Sequence, residues 1–236
     1  AHFLRGVCGE LLRRGFNVQV FEPEDAWSVQ NLLAEAGEDA LTQFREAYPG
    51  LNPVRYPKNG PDLDTVLGNA DLVLVHEWND PGLVSAIGCH RRRNPRYRLL
   101  FHDTHHRSVT DPEAMSRYDL RYYDGVLAFG QSVAAVYEAN QWAKRVWTWH
   151  EAADVRVFRP LDKDAPRTGD LVWVGNWGDD ERTSELREFL IEPVRDLGLR
   201  ARVHGVRYPE SALALLGQAG IEYGGWLPNY RAPEVF

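Results

Sequence analysis

The fold is constrained most by one stretch near the end of the chain. There an apolar run ends in a glycine loop, and an amphipathic pattern follows at once. The run is Leu171-Val-Trp-Val174, the loop is Gly175-Asn-Trp-Gly178, and apolar residues recur at helical spacing as far as Leu197. Gly198 then supplies the left-handed residue that ends many helices. The pattern predicts a strand-loop-helix unit, the building block of parallel α/β sheets.

The same alternation of strands and helices is predicted in the first 160 residues. The alternation of Phe16, Val18 and Val20 predicts a short strand that ends at Glu22-Pro23, and apolar runs predict further strands at 71–76, 98–102, 125–129 and 145–149, with helical patterns between them. Helix starts are indicated by Asn79-Asp80-Pro81 and by Thr110-Asp-Pro-Glu113. Residues 24–48 also have a helical pattern. The predicted fold class is α/β, with parallel sheets and helices on both faces.

A stretch of linker composition from Pro160 to Gly169 separates the two parts of this pattern. We therefore predict two Rossmann-like domains, at 1–160 and 170–236, joined by a linker at 161–169. The chain begins without Met inside a helical pattern, and Pro233-Glu-Val-Phe236 ends it at the start of another. We expect the first strand of the first domain and the second half of the second domain to be missing.

Composition limits the partners and the compartment. The formal net charge of −7 argues against broad electrostatic binding of nucleic acid. No apolar run approaches the roughly 20 residues that span a bilayer. Cys8 and Cys89 fall in predicted helices and are too few for a disulfide framework. We expect a cytoplasmic protein without a transmembrane segment.

Histidine–carboxylate pairs follow three of the predicted strands, where open parallel sheets bind their ligands. The pairs are His76-Glu77, His102-Asp103 and His150-Glu151, and His105 and His106 follow the second pair. An imidazole beside a carboxylate can act as a general base or bond to a sugar hydroxyl. Two alternatives remain open: polar residues that merely satisfy backbone groups, and a zinc site of His102, His105 and His106, although the loop lacks a recognised metal spacing and Asp103 is better explained as orienting an imidazole.

The loop Gly175-Asn-Trp-Gly178 allows backbone amides to approach a ligand closely, and the helix that follows favours an anion. Arg182 is a candidate for a phosphate contact, and we expect Trp177 to face a cleft. The chain has neither a Gly-x-Gly-x-x-Gly motif nor a phosphate-binding P-loop. These absences disfavour a dinucleotide oxidoreductase and a P-loop enzyme.

Several short segments resemble those of GT-B glycosyltransferases, and more narrowly the CgeB-like, spore-maturation-type bacterial enzymes. The segments are Phe101-His-Asp-Thr-His-His-Arg107, Asp111-Pro-Glu113, Phe129-Gly-Gln-Ser132 and Gly225-Trp-Leu-Pro-Asn-Tyr-Arg-Ala-Pro233. The resemblance implies transfer of a sugar from a nucleotide-sugar donor to an acceptor, which could be a glycan, a lipid, a protein or a small molecule. It also implies that neither a metal ion nor another cofactor is required.

By position, the resemblance places His102 beside the transferred sugar as a catalytic residue with Asp103. The expected acceptor-side residues are His76, Glu77, His105, His106, His150 and Glu151. The expected donor-side residues are Gly175, Asn176, Trp177, Gly178 and Arg182. The family's donor carboxylate and basic diphosphate clamp would lie beyond Phe236, so we expect residues 1–236 alone to be inactive. A sugar-nucleotide epimerase and a non-catalytic nucleotide- or sugar-binding protein remain open as other functions.

Overall fold

The computed structural model describes residues 2–161, 166–178 and 180–236. Its described strands form parallel sheets in the orders β1-β2, β3-β4-β5-β6 and β7-β8-β9. The strands are β1 (Phe21–Pro23), β2 (Val54–Tyr56), β3 (Leu72–His76), β4 (Arg98–Asp103), β5 (Gly125–Ala128), β6 (Val146–Thr148), β7 (Leu171–Val174), β8 (Ala201–His204) and β9 (Glu222–Tyr223). The predicted α/β class with parallel sheets is confirmed.

Helices alternate with the strands through most of the chain. They are α1 (His2–Arg13), α2 (Trp27–Ala36), α3 (Asp39–Ala47), α4 (Leu63–Leu67), α5 (Pro81–Arg93), α6 (Arg107–Thr110), α7 (Pro112–Ser116), α8 (Gln131–Ala139), α9 (Asp180–Leu186), α10 (Glu192–Leu197) and α11 (Glu210–Gln218). A π-helical turn, Arg187–Ile191, joins α9 to α10, and a 3₁₀ helix spans Asn229–Glu234. None of the helices in the described ranges combines the length and apolar character that crossing a membrane requires.

Two compact units divide the described residues. One draws on Ala1–Val20, Ala26–Asn52 and Ala153–Phe236, and the other on Phe21–Asp25 and Pro53–Ala152. Within the former unit, Arg156 donates to the backbone oxygen of Gly6 at 2.9 Å and so joins α1 to the later segment. The predicted boundaries at 160 and 169 stay a prediction, and residues 162–165 of the predicted linker lie outside the described residues.

The unit that contains 53–152 is built on the four-stranded sheet. One face of that sheet carries a buried core that includes Leu99, Phe101 and Val126, packed with residues of α5 and α8 such as Val84 and Tyr137. These strands are rich in Val and Leu, as is usual for strands of a parallel sheet. Asp80 caps α5 by accepting from Gly82 N at 2.8 Å, as the Asn79-Asp80-Pro81 pattern predicts.

Two predicted elements differ from the structure. The early strand ends at Pro23 as predicted but begins only at Phe21, where it pairs with Val54–Tyr56, so 16–20 lie outside any strand. The helix predicted from Asp180 to Leu197 is interrupted by the π-helical turn. Pro193 lies at the start of α10, and because proline has no N–H and its ring crowds the preceding turn, a regular helix cannot run through it. The helix ends at Gly198 in the left-handed conformation, as predicted.

Candidate functional site

The first two histidine–carboxylate pairs lie side by side. Strands β3 and β4 are parallel, and His76 is the register partner of His102. Because parallel strands end at the same edge of a sheet, their carboxyl ends bring Glu77 and Asp103 together as well. The imidazole rings of His76 and His102 are 5.3 Å apart between centroids and nearly perpendicular. The sheet therefore brings the two pairs to one edge, side by side.

Strand alternation directs the two histidines and the two carboxylates to opposite faces of the sheet. His102 has no exposed surface, and its ring packs against Trp149 at 5.1 Å. Burial lowers the pKa of His102 to about 4, with a smaller effect from His76, and burial also lowers the pKa of His76 to about 4. Both imidazoles are therefore neutral near neutral pH. His102 is wholly buried, so its ring does not reach the surface, contrary to the expected place beside the transferred sugar.

Glu77 is a wholly buried carboxylate held by several donors. Its Oε1 accepts from the backbone N and from Oγ1 of Thr104, both at 2.9 Å, and its Oε2 accepts from Arg107 at 2.9 Å. Burial works to raise the pKa of Glu77, but the hydrogen bonds from Arg107 and Thr104 outweigh it, so the pKa lies below its usual range. Glu77 is therefore the ionised member of the carboxylate pair.

Asp103 is also wholly buried, and it holds its proton more strongly than Glu77 does. It accepts from His105 N at 3.0 Å and from the Tyr137 hydroxyl at 2.8 Å. Burial, followed by the nearby charge of Glu77, raises the pKa of Asp103 to about 7. Because the Glu77 charge disfavours a second charge on Asp103, the two carboxyl groups favour a single negative charge between them.

The loop after β4 forms an aromatic row on the surface. The rings of His105 and His106 stack at 4.1 Å, and Nδ1 of His106 lies 2.9 Å from Oγ1 of Thr110. Trp78, directly after Glu77, places its ring 5.5 Å from His105, and the Arg107 guanidinium lies 4.5 Å over the same indole. The sequence interpretation missed Trp78, although a tryptophan directly after a strand-end pair was the available signal.

The zinc alternative gains no support. Across the described ranges, no three His, Cys, Asp or Glu residues are grouped to hold a metal ion. His106 instead pairs with Thr110, and Asp103 with Tyr137.

The third pair follows β6, which ends at Thr148. His150 is exposed and its ring meets that of Phe129 at 6.3 Å, nearly perpendicular, while Glu151 is half-buried. The pair lies directly beyond Trp149, the residue that packs on His102. His150 and Glu151 thus follow the same sheet, in a more exposed position than the first two pairs.

In the other unit, the loop of Gly175–Gly178 is fastened to the segment after β8. Gly175 N donates to His204 O at 2.8 Å, and Asn176 Oδ1 accepts from Val206 N at 3.1 Å. A side chain at Gly205, whose φ is +153°, would place its Cβ 1.9 Å from the Gly175 oxygen. The glycine at 205 therefore allows the two loops to approach each other closely.

Trp177 does not face a cleft, contrary to the sequence expectation. It is 3% exposed within the core of its unit, and its indole Nε1 donates to Thr183 Oγ1 at 2.8 Å. A large apolar ring gains more from burial in that core than from a place in solvent, and Thr183 satisfies its one donor. Arg182 is about half exposed, and its Nε lies 3.4 Å from Glu185.

His204, at the carboxyl end of the central strand β8, was also missed by the sequence interpretation. It is 6% exposed, and neither ring nitrogen has a hydrogen-bond partner among the described residues. A Cβ at Gly224 would lie 2.2 Å from the His204 ring. The glycine at 224 therefore makes room for this imidazole.

No protein-family model and no curated protein match the sequence. Among solved structures, a point mutant of S. aureus TarM in complex with fondaparinux, alpha-GlcNAc-glycerol and UDP matches with a TM-score of 0.50 and 11% identity. The match covers 70% of this chain and 35% of that one. An alpha-glucosyltransferase in complex with UDP and a 13-mer DNA containing a central A:G mismatch matches with a TM-score of 0.43 and 14% identity, over 72% of this chain and 45% of its own. This chain therefore has a mixed α/β fold with parallel sheets that resembles part of the TarM structure, and it spans about a third of the TarM chain.

Proposed function

We propose that this polypeptide belongs to a glycosyltransferase that moves a sugar from a nucleotide-sugar donor to an acceptor hydroxyl. The observation that carries the proposal is the placement of polar and glycine-rich segments at the carboxyl ends of two separate parallel sheets, in a fold similar to that of a structure holding UDP. In the reaction, the acceptor oxygen bonds to the anomeric carbon, the bond to the diphosphate breaks, and the acceptor proton is released to a base.

The donor side is assigned to the unit that contains β7. Gly175, Gly178 and Asn176 form the loop that the diphosphate would approach, and Arg182 would offset the charge of the leaving group. In this proposal Trp177 supports the loop from the core through Thr183 and does not touch the donor. The transfer is proposed to need no metal ion.

The acceptor side is assigned to the unit that contains β3 and β4. Its exposed or half-exposed residues His76, His105, His106, His150 and Glu151 would contact the acceptor. His102, Asp103 and Glu77 have no exposed surface, so we assign them positioning roles beneath these residues. Asp103, for example, accepts from the backbone of His105 and thereby fixes the loop that carries His105 and His106.

The test is release of free nucleoside diphosphate from a panel of nucleotide sugars, with and without candidate acceptors and with and without EDTA. It should be run on the complete encoded polypeptide and separately on residues 1–236. We expect acceptor-dependent release by the former and weak donor binding by the latter. Isomerisation of the donor without acceptor would establish an epimerase, and binding without turnover by the complete polypeptide would establish a binding protein.

A further inference from the structure

Trp78 presents a large aromatic ring to solvent directly beyond the end of β3. It is 66% exposed, although its neighbour Glu77 is wholly buried. We propose that Trp78 is the floor of a binding site for a neutral pyranose of the acceptor, and this assignment of a substrate class rests on the proposed function. The site would use the indole face for the C–H face of the sugar and the adjacent histidines for its hydroxyl groups.

The indole is held in place before any ligand arrives. The backbone N of Trp78 donates to Nδ1 of His76 at 3.3 Å. The Arg107 guanidinium lies 4.5 Å over the indole, and the centroid of the His105 ring lies 5.5 Å from that of the indole, with 81° between the ring planes. Arg107 is itself anchored by Glu77 at 2.9 Å. A ring fixed in this way loses little conformational entropy on binding, which favours affinity.

Charge at the site favours a neutral ligand. The Arg107 charge is paired with the Glu77 carboxylate, so the cation that lies over the indole is compensated. His105 is neutral near neutral pH, because burial and then the neighbouring His106 lower its pKa. An anionic sugar would therefore find no uncompensated cation to pair with in this group of residues. A neutral pyranose needs no such partner.

Hydrogen-bonding groups stand beside the aromatic surface. His105 joins Trp78 to His106 in one row of rings. Because Nδ1 of His106 is used by Thr110, its Nε2 is the ring atom left to bond a hydroxyl. Apolar surface with a few polar groups at its margin matches a pyranose, which has a C–H face and a rim of hydroxyls.

The proposal is tested by titrating sugars alone into the chain and following binding by ¹H–¹⁵N NMR. The backbone amide resonances of His105 and His106, whose rings lie beside Trp78, report binding in every variant. The indole Nε1–H resonance of Trp78, assigned from its loss in Trp78→Phe, reports it in the parent and in Phe16→Ala. The neutral probes are methyl glycosides of glucose, galactose and mannose, and the trimer of N-acetylglucosamine. The anionic probe is a glucuronic acid trimer. The binding variants are Trp78→Ala and Trp78→Tyr. Phe16→Ala is the matched control, since Phe16 is an aromatic residue, 59% exposed, in the other compact unit.

We expect at least one neutral sugar to shift the Trp78 resonance in a saturable way. Binding should weaken by about tenfold or more in Trp78→Ala, recover partly in Trp78→Tyr and stay unchanged in Phe16→Ala. A response to the glucuronic acid trimer alone, equal affinity in Trp78→Ala, or no response to any neutral sugar would overturn the proposal. No nucleotide is present, so failure here leaves the diphosphate-release test of the proposed function unaffected.

Discussion

Glu77 Oε2 accepts a hydrogen bond from Nη2 of Arg107 at 2.9 Å, which pairs a wholly buried carboxylate with a guanidinium whose side chain is 23% exposed. Removal of one partner from a buried pair leaves the other charge without compensation. We expect Arg107→Ala to lower the free energy of unfolding by about 2–4 kcal/mol, measured by urea denaturation.

The matched control for this substitution is Arg200→Ala. Arg200 bonds Asp170 at 3.0 Å, but both side chains are largely exposed, at 67% and 40%. Solvent screens such a pair, so this variant should unfold almost as the parent does. Equal losses in the two variants would show that the Glu77–Arg107 pair contributes nothing beyond a surface ion pair.

Asp103 gives stability an unusual dependence on pH. Its pKa is about 7 in the folded protein, because of burial and then the charge of Glu77, against an ordinary value of 3.8. The folded state therefore holds a proton that the unfolded state has lost, and the contribution of Asp103 to the free energy of unfolding falls as pH rises through that window. We expect Asp103→Asn to abolish this fall, measured by urea denaturation at several pH values between about 4 and 8.

The comparison must be made as parent minus variant, because the histidines act in the opposite direction. His76 and His102 have pKa values of about 4 in the folded protein, so their contribution rises as pH increases toward their ordinary value of 6.5. That effect is common to both proteins and cancels in the difference. A difference that stays constant with pH would show that Asp103 is ionised throughout.

Trp177 and Trp78 each lie in a loop that follows a strand, but they should contribute very differently to the free energy of unfolding. Trp177 is 3% exposed and Trp78 is 66% exposed. Trp177→Ala should lower the free energy of unfolding by about 3–5 kcal/mol through the cavity it leaves. Trp78→Ala should cost less than about 1 kcal/mol, chiefly the contact with Arg107. Chemical denaturation measures both, and a comparable loss in Trp78→Ala would mean that its exposed ring is part of the fold.

Local patterns were enough to predict much of this fold. The continuous apolar run at 71–76 predicted β3, Asp80 and Pro81 predicted the start of α5, and Gly198 predicted the end of α10. Each depends on neighbours within a few residues, through burial of a whole strand, a capping hydrogen bond or a left-handed residue. The gathering of His76 with His102 also followed, because parallel strands share one carboxyl edge.

Side-chain environment could not be read in the same way. The sequence shows that His102 ends a strand, but its complete burial depends on Trp149, which reaches it from beyond a different strand. Trp177 lies in a glycine loop and still enters the core, because α9 supplies Thr183 as a partner for its N–H. Such contacts depend on how elements pack across the fold, which periodicity along one segment does not contain.

Two glycines in the unit that contains β7 test how closely the loop at 175–178 approaches the segment after β8. A Cβ at Gly205 would lie 1.9 Å from the backbone oxygen of Gly175, and the φ of +153° is one that other residues rarely adopt. Gly205→Ala must therefore push the 175–178 loop away, and we expect a loss of about 2–4 kcal/mol together with shifted amide resonances in that loop. Gly217 lies in α11, where an added Cβ would meet no described atom within 4 Å, so Gly217→Ala should stabilise the unit by about 0.5–1 kcal/mol. Urea denaturation and ¹H–¹⁵N spectra of both variants measure the contrast. If Gly205→Ala were as stable as Gly217→Ala and left the resonances of 175–178 in place, the close approach of the two loops would be wrong, and with it the donor-side geometry assigned to Gly175 and Asn176.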